Sequence, residues 1–223
     1  VRPSAGNFSV SPTGEDYIRA RAGVFESVLA LGWHRSQWDS RRVLHVSANK
    51  MHIAGEYSRR RENGERISSQ QVTYIVTRQG ERWGIQSRFG TGKVDSGEAA
   101  AAAAEPARQA VEAYFEAFNS LDLEIWADTL HFPQVRLSSS GLDYWQTRED
   151  FFAGTEPGRQ RTWFRTKLES AETVQAGADG VNVIVRYSNL NSEDETLSSY
   201  DAVYLVTRHE GRWAVQARST YGP

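Results

Sequence analysis

The sequence predicts two tandem α+β domains, each a curved antiparallel sheet with helices packed on one face. Three observations predict it: an internal repeat, a block of strand-period segments in each copy, and helix-period segments ahead of that block. Tyr74-Ile-Val-Thr-Arg-Gln-Gly-Glu-Arg-Trp83 returns as Tyr204-Leu-Val-Thr-Arg-His-Glu-Gly-Arg-Trp213, an offset of 130 residues. The offset holds without a gap from Trp33/Trp163 to Phe89/Ser219, and 17 of those 57 pairs are identical. Further upstream it becomes 134, matching Val1-Arg2-Pro3-Ser4 to Val135-Arg136-Leu137-Ser138 and Thr13 to Thr147.

The second copy shows the element order. Val111, Tyr114, Phe115 and Phe118 fall at the spacing of an amphipathic helix, which Asn119 ends. A short second helix carries Leu123, Ile125, Trp126 and Leu130; Pro133 stops it, and a strand begins at Val135. Thr147-x-x-Asp150 reads as a capping box opening a third helix, as Thr13-x-x-Asp16 does in the first copy. Four long strands follow, over 162–175, 180–190, 195–208 and 212–221. Val181, Val183, Val185 and Tyr187 alternate with other residues at strand period. Glu62-Asn-Gly-Glu65, Gly180 and Gly211 mark the bends.

Domain boundaries follow. Residues 1–92 form the first domain, 93–104 a linker and 105–223 a complete second domain. The alanines at 99–104 are strong helix formers and need no function. About 30 residues ahead of Val135 have no counterpart ahead of Val1, so the first domain is expected to lack its first two helices in this chain. The native N-terminus is expected to lie upstream, or another element to cover the gap.

This order, ending in a Gly-Arg-Trp-x-Val-x-x-Arg-Ser strand, resembles the nuclear transport factor 2-like superfamily. SnoaL-like polyketide cyclases, ketosteroid isomerases, limonene epoxide hydrolase and scytalone dehydratase share that fold. The resemblance covers 1–92 and 106–222 and implies two tandem cone-shaped domains with the helices on the concave sheet face. It also implies a pocket between helices and sheet, and association through the sheet faces: a pseudo-dimer within one chain, or a homodimer.

The resemblance supplies candidate residues in the second domain. Ketosteroid isomerases use a helix-one tyrosine, which matches Tyr114. Their base position falls on Ser138, which cannot abstract a carbon-bound proton, and their second acid on Ala202, one step from Asp201. His131, where the second helix ends, matches the use of a histidine in the dehydratase branch; the bland alternative is a helix-end histidine satisfying carbonyls. Tyr144 and Trp145 precede the third helix, where cone walls are built. Arg136 and Arg165 recur in the first copy as Arg2 and Arg35, as Arg208 and Arg218 recur as Arg78 and Arg88; such an arginine could hold a carboxylate through a bidentate fork or serve only structural pairing.

Composition removes whole classes. Without cysteine there is no disulfide, thiol nucleophile, iron–sulfur cluster or zinc ribbon. No histidine pair has metal-ligand spacing, so no metal is expected, and the absence of glycine-rich phosphate loops leaves no cofactor. A net charge of −2 argues against nucleic acid, no apolar run suits a membrane, and a cytoplasmic protein is expected. The charge divides unevenly: residues 1–92 carry 14 basic and 8 acidic groups, the remainder 12 and 20. Three readings follow: a protein binding a small apolar or carbonyl-bearing molecule in the second cone, a metal-free cyclase, dehydratase or isomerase, or an assembly module without ligand.

Overall fold

A computed structural model of the chain describes residues 1–4, 7–93, 97–138, 141–155 and 163–221. The first half contains β1 (Arg2–Ser4), β2 (Asn7–Ser9), α1 (Gly14–Ala30), β3 (Arg35–Val46), β4 (Lys50–Arg60), β5 (Arg66–Gln79) and β6 (Arg82–Lys93). The second contains α2 (Glu98–Ser120), α3 (Leu123–Asp128), β7 (Leu130–Leu137), β8 (Leu142–Trp145), α4 (Arg148–Gly154), β9 (Arg165–Ala176), β10 (Gly180–Leu190), β11 (Thr196–His209) and β12 (Arg212–Tyr221).

Each half makes a six-stranded sheet, in the orders β2-β1-β6-β5-β4-β3 and β8-β7-β12-β11-β10-β9. The repeat in sequence is thus a repeat in topology. The four long strands form the expected antiparallel meander, but each sheet is mixed rather than antiparallel throughout. β1 lies parallel to β6 through Ser4 and Gly90, and β7 parallel to β12 through Arg136 and Arg218. Short strands β2 and β8, which the sequence reading did not anticipate, fold back on β1 and β7 and form the sheet edges.

α2 starts earlier than expected. The alanine stretch assigned to the linker forms its first turns, and the helix continues through Pro106 to Ser120; residues 94–96 of that linker lie outside the described residues. Leu121 ends α2 in the left-handed region at φ 66°, and the Asp122 carboxylate accepts from the Glu124 and Ile125 amides to open α3. Both capping boxes are present, Thr13 with Asp16 and Thr147 with Asp150.

The middle of β11 is buried on both faces, which explains the near-continuous apolar run Ala202–Val206. Ala202, Tyr204 and Val206 point to the helices; Val203 and Leu205 point to the other sheet. On the helix side, Val111, Tyr114 and Phe115 of α2, Trp126 of α3 and Phe151 of α4 pack on Val183, Val185 and Val215. The first sheet is different. Its helix among the described residues, α1, buries no side chain, and Phe25, Leu29, Trp38 and Ile85 remain exposed.

The sheets pack on each other through the faces turned from the helices. Ile75 and Phe89 of the first meet Val135, Leu137, Val203, Leu205 and Ala217 of the second. Polar side chains buried there bond across. Asn182 Nδ2 donates to the Phe89 carbonyl at 3.1 Å, Gln175 Nε2 to the Gly55 carbonyl at 2.9 Å, and Lys50 Nζ to the Thr220 carbonyl at 3.1 Å. Burial lowers the Lys50 pKa to about 8. Each such bond satisfies a group whose isolation would cost about 1–3 kcal/mol. No helix among the described residues is long and apolar enough to cross a membrane.

Candidate functional site

The cone of the second domain is floored by β10–β12 and roofed by α2 and α3. Arg218 of β12 stands opposite Tyr204 of β11, and Tyr187 comes from the neighbouring β10. The Arg218 guanidinium lies 5.6 Å from the centre of the Tyr114 ring, which α2 lowers toward the sheet. Tyr114 is also a core residue. It is 1% exposed and meets Tyr204 and Trp126 edge-on, with ring centres at 5.5 and 6.0 Å.

The polar groups at this centre are poorly matched to one another. The hydroxyl of Tyr114 and the indole Nε1 of Trp126 are buried without a hydrogen-bond partner, whereas the Tyr204 hydroxyl lies against the Arg218 guanidinium. Arg218 makes no ion pair among the described residues, although it stands amid three tyrosines. Burial opposes its charge, but the tyrosine oxygens, Tyr114 foremost, more than offset this and its pKa is raised. Burial holds Tyr204 and Tyr187 in the protonated form at neutral pH. The centre therefore presents donors: a guanidinium and phenolic hydroxyls.

The same constellation stands in the first domain. Arg88 pairs in register with Tyr74, donates through Nη2 to the Tyr57 hydroxyl at 2.7 Å, and lies over the Tyr57 and Tyr74 rings at 5.5 and 5.9 Å. Burial raises the Tyr74 pKa, with Arg88 pulling the other way. Here the face is open, and between α1 and the sheet lies a groove of about 910 Å³.

The sequence profile described as NTF2-like protein (DUF6841) matches residues 2–89 and again 104–222. The chain belongs to this family. Solved structures similar to it include a protein of unknown function with a cystatin-like fold from Nostoc punctiforme PCC 73102, 16% identical, covering 52% of this chain and 86% of that one at a TM-score of 0.44. An NTF2-like protein of unknown function from Pseudomonas putida KT2440 is 16% identical over 55% of this chain and 88% of that one, TM-score 0.46. A ketosteroid isomerase-like protein from Erwinia carotovora atroseptica SCRI1043 is 18% identical over 53% and 94%, TM-score 0.43. No curated protein matches the chain.

Within this NTF2-like frame the residues nominated from sequence separate. Tyr114, Arg136 and Trp145 face the second cone. Arg136 lies over the Trp145 ring at 5.3 Å and is tied to Asp143 at 2.6 Å, so its charge is already met. His131, Tyr144 and Asp201 lie on the opposite face, and the expectation that they line the cone is corrected. His131 is in β7 rather than at a helix end. Its Nδ1 shares a hydrogen with the Thr207 hydroxyl at 2.9 Å, and Thr207 belongs to the face of Val203 and Leu205. Burial, with Arg212 and His209 nearby, lowers its pKa to about 3, leaving it neutral and a very weak base. Tyr144 stacks on Phe8 of the first sheet at 5.8 Å. Asp201 pairs with Arg186 at 3.3 Å while Ala202 takes the cone-facing position. Arg165 pairs with Asp194 at a hairpin end, away from the cone.

Sequence reasoning named Arg218 only as one of the recurring arginines, behind Arg136 and Arg165, and missed Tyr187 and Tyr204 as site residues. The signal was present: all three recur in the first copy, as Arg88, Tyr57 and Tyr74. Among the described residues no group of three or more histidine, cysteine or carboxylate side chains is arranged to hold a metal ion.

Proposed function

We propose that the protein binds a small apolar molecule in the cone of its second domain, gripping a carbonyl or carboxylate oxygen of it with Arg218 and the hydroxyls of Tyr114 and Tyr204. One observation carries the reading: a deeply placed guanidinium with no carboxylate of its own stands by Tyr114, whose buried hydroxyl has no partner. Buried donors are costly to leave unmatched, and an acceptor oxygen from a ligand would complete both. The surrounding Phe115, Trp126 and Val183 are the apolar surface that the rest of such a ligand would touch. Asp143 is held by Arg136 and His131 faces away, so the residues gathered at Arg218 suit binding and carbonyl polarisation rather than proton abstraction.

The test is a calorimetric titration against a panel of cyclic ketones and alicyclic carboxylates. Arg218→Met is expected to weaken binding about tenfold or more, and Tyr114→Phe by roughly three- to tenfold, as one donor is lost in each. The thermal midpoint of each variant is measured alongside, so that a loss of binding is separated from a loss of stability. Binding that is unchanged in both variants, or lost only in proportion to stability, overturns the reading.

A further inference from the structure

The groove over the first sheet carries charge in an arrangement that the second cone lacks. Arg2, Arg21, Arg59 and Arg88 all line it, none makes an ion pair among the described residues, and no Asp or Glu is among the lining residues. Two of these converge on one ring. The guanidinium of Arg59 lies 5.8 Å and that of Arg88 5.5 Å from the centre of Tyr57. The counterpart of Arg59 in the second copy is Asn189, which is engaged with Thr166. Arg88 Nε and Arg21 Nε are buried without a partner. Four cations on one groove without an acidic neighbour among its lining residues leave a positive field that an anion would neutralise.

Flat aromatic side chains form part of the same lining. Trp38 lies across Gly55, where a Cβ would come within 2.4 Å of the indole, and it meets Tyr74 and Tyr57 edge-on at 5.7 and 6.0 Å. Phe25 of α1 leans on Trp33 at 6.0 Å to form the opposite wall. Aromatic walls favour a planar ring, and a guanidinium beside them offers a fork matched to a carboxylate.

We propose that this groove is a second binding site, for an aromatic carboxylate whose ring lies between Trp38 and α1 and whose carboxylate is held by Arg88 and Arg59. It differs from the second cone in its extra arginine, and it stands whether or not the second cone binds a ligand.

The probe pair is 2-naphthoate and the neutral naphthalene-2-methanol, titrated into the full chain by calorimetry, with the thermal midpoint of each variant measured alongside. Naphthoate is expected to bind about tenfold or more tightly than the alcohol, and more weakly as salt is raised. Arg88→Met and Arg59→Met should each weaken naphthoate about tenfold and leave the alcohol unchanged, whereas Arg218→Met should not affect either. Arg59 is the safeguard, because it lacks the hydrogen bond that ties Arg88 into the sheet. Equal binding of the two probes, or naphthoate binding unmoved by both substitutions, overturns the proposal and leaves the groove as an apolar face suited to a packing helix. Loss of naphthoate binding in Arg218→Met alone would place the carboxylate in the second cone, and also overturns it.

Discussion

Acidification from pH 7 to pH 4 is expected to destabilise the protein by several kcal/mol, with His131 and His52 as the principal cause. Both rings are buried, at 5% and 0% exposure, and both are held neutral. His131 is lowered to about 3 by burial, then by Arg212 and His209; His52 is lowered by burial, then by His45 and Lys50. In the unfolded chain each titrates near 6.5. Between those values the unfolded state binds the proton and the folded state does not, so stability rises with pH across the window. It is complete above about 6.5 and falls as the pH drops toward 3. His131 costs about 1.4 kcal/mol per pH unit in that range, so at pH 4 it withdraws about 3 kcal/mol, and His52 acts in the same direction. That is a large share of the 5–15 kcal/mol that holds an ordinary domain. Urea unfolding at pH 7, 5.5 and 4 measures it. His131→Asn, which keeps a polar atom near Thr207 Oγ1, should give a shallower pH slope. A wild-type stability that is flat from pH 6.5 to 4.5 would contradict the burial account.

The fold was legible because the repeat gave its own alignment. Two gapless copies of a four-strand meander force one register on both, and Tyr74/Arg88 and Tyr204/Arg218 do occupy the same cross-strand pairing. The parallel return of β7 onto β12 was not legible, because the residues of a strand carry no mark of the direction in which it pairs. The site was legible only in part, for a reason that lies in the sheet. Face assignment from sequence assumes strict alternation, but β12 is bulged against β11 at Leu205/Val206. Val215 therefore faces the helices and Ala217, two residues on, faces the other sheet. Unbroken alternation from Val215 would have turned Arg218 away from the cone. His131 failed differently: an apolar-flanked histidine after a helix looks like a pocket mouth until Thr207, 76 residues distant, is placed against it.

Phe89→Ala is expected to cost about 3–5 kcal/mol and to weaken both domains together. Phe89 is 0% exposed and belongs to the first sheet, yet most of its cluster comes from the second: Val135, Leu137, Val203, Leu205 and Ala217. Truncation opens a cavity in a core that neither sheet owns alone. The same residue's carbonyl accepts from Asn182 Nδ2, which also donates to Gln175 and Thr73, so relaxation of the β6 backbone into the cavity would strain the polar links beside it. Val43→Ala on β3, at a position 54% exposed, should cost little and serves as the control. Urea unfolding followed by tryptophan fluorescence and by far-ultraviolet circular dichroism reads the result, since Trp33, Trp38 and Trp83 report the first domain and Trp126, Trp145 and Trp213 the second. A single transition shifted by the same amount for both probes is the expected outcome, because a shared core makes the two sheets one cooperative unit. Two separated transitions in Phe89→Ala, with the second at the wild-type midpoint, would mean that the second domain stands without the first and that the interface contributes little to it.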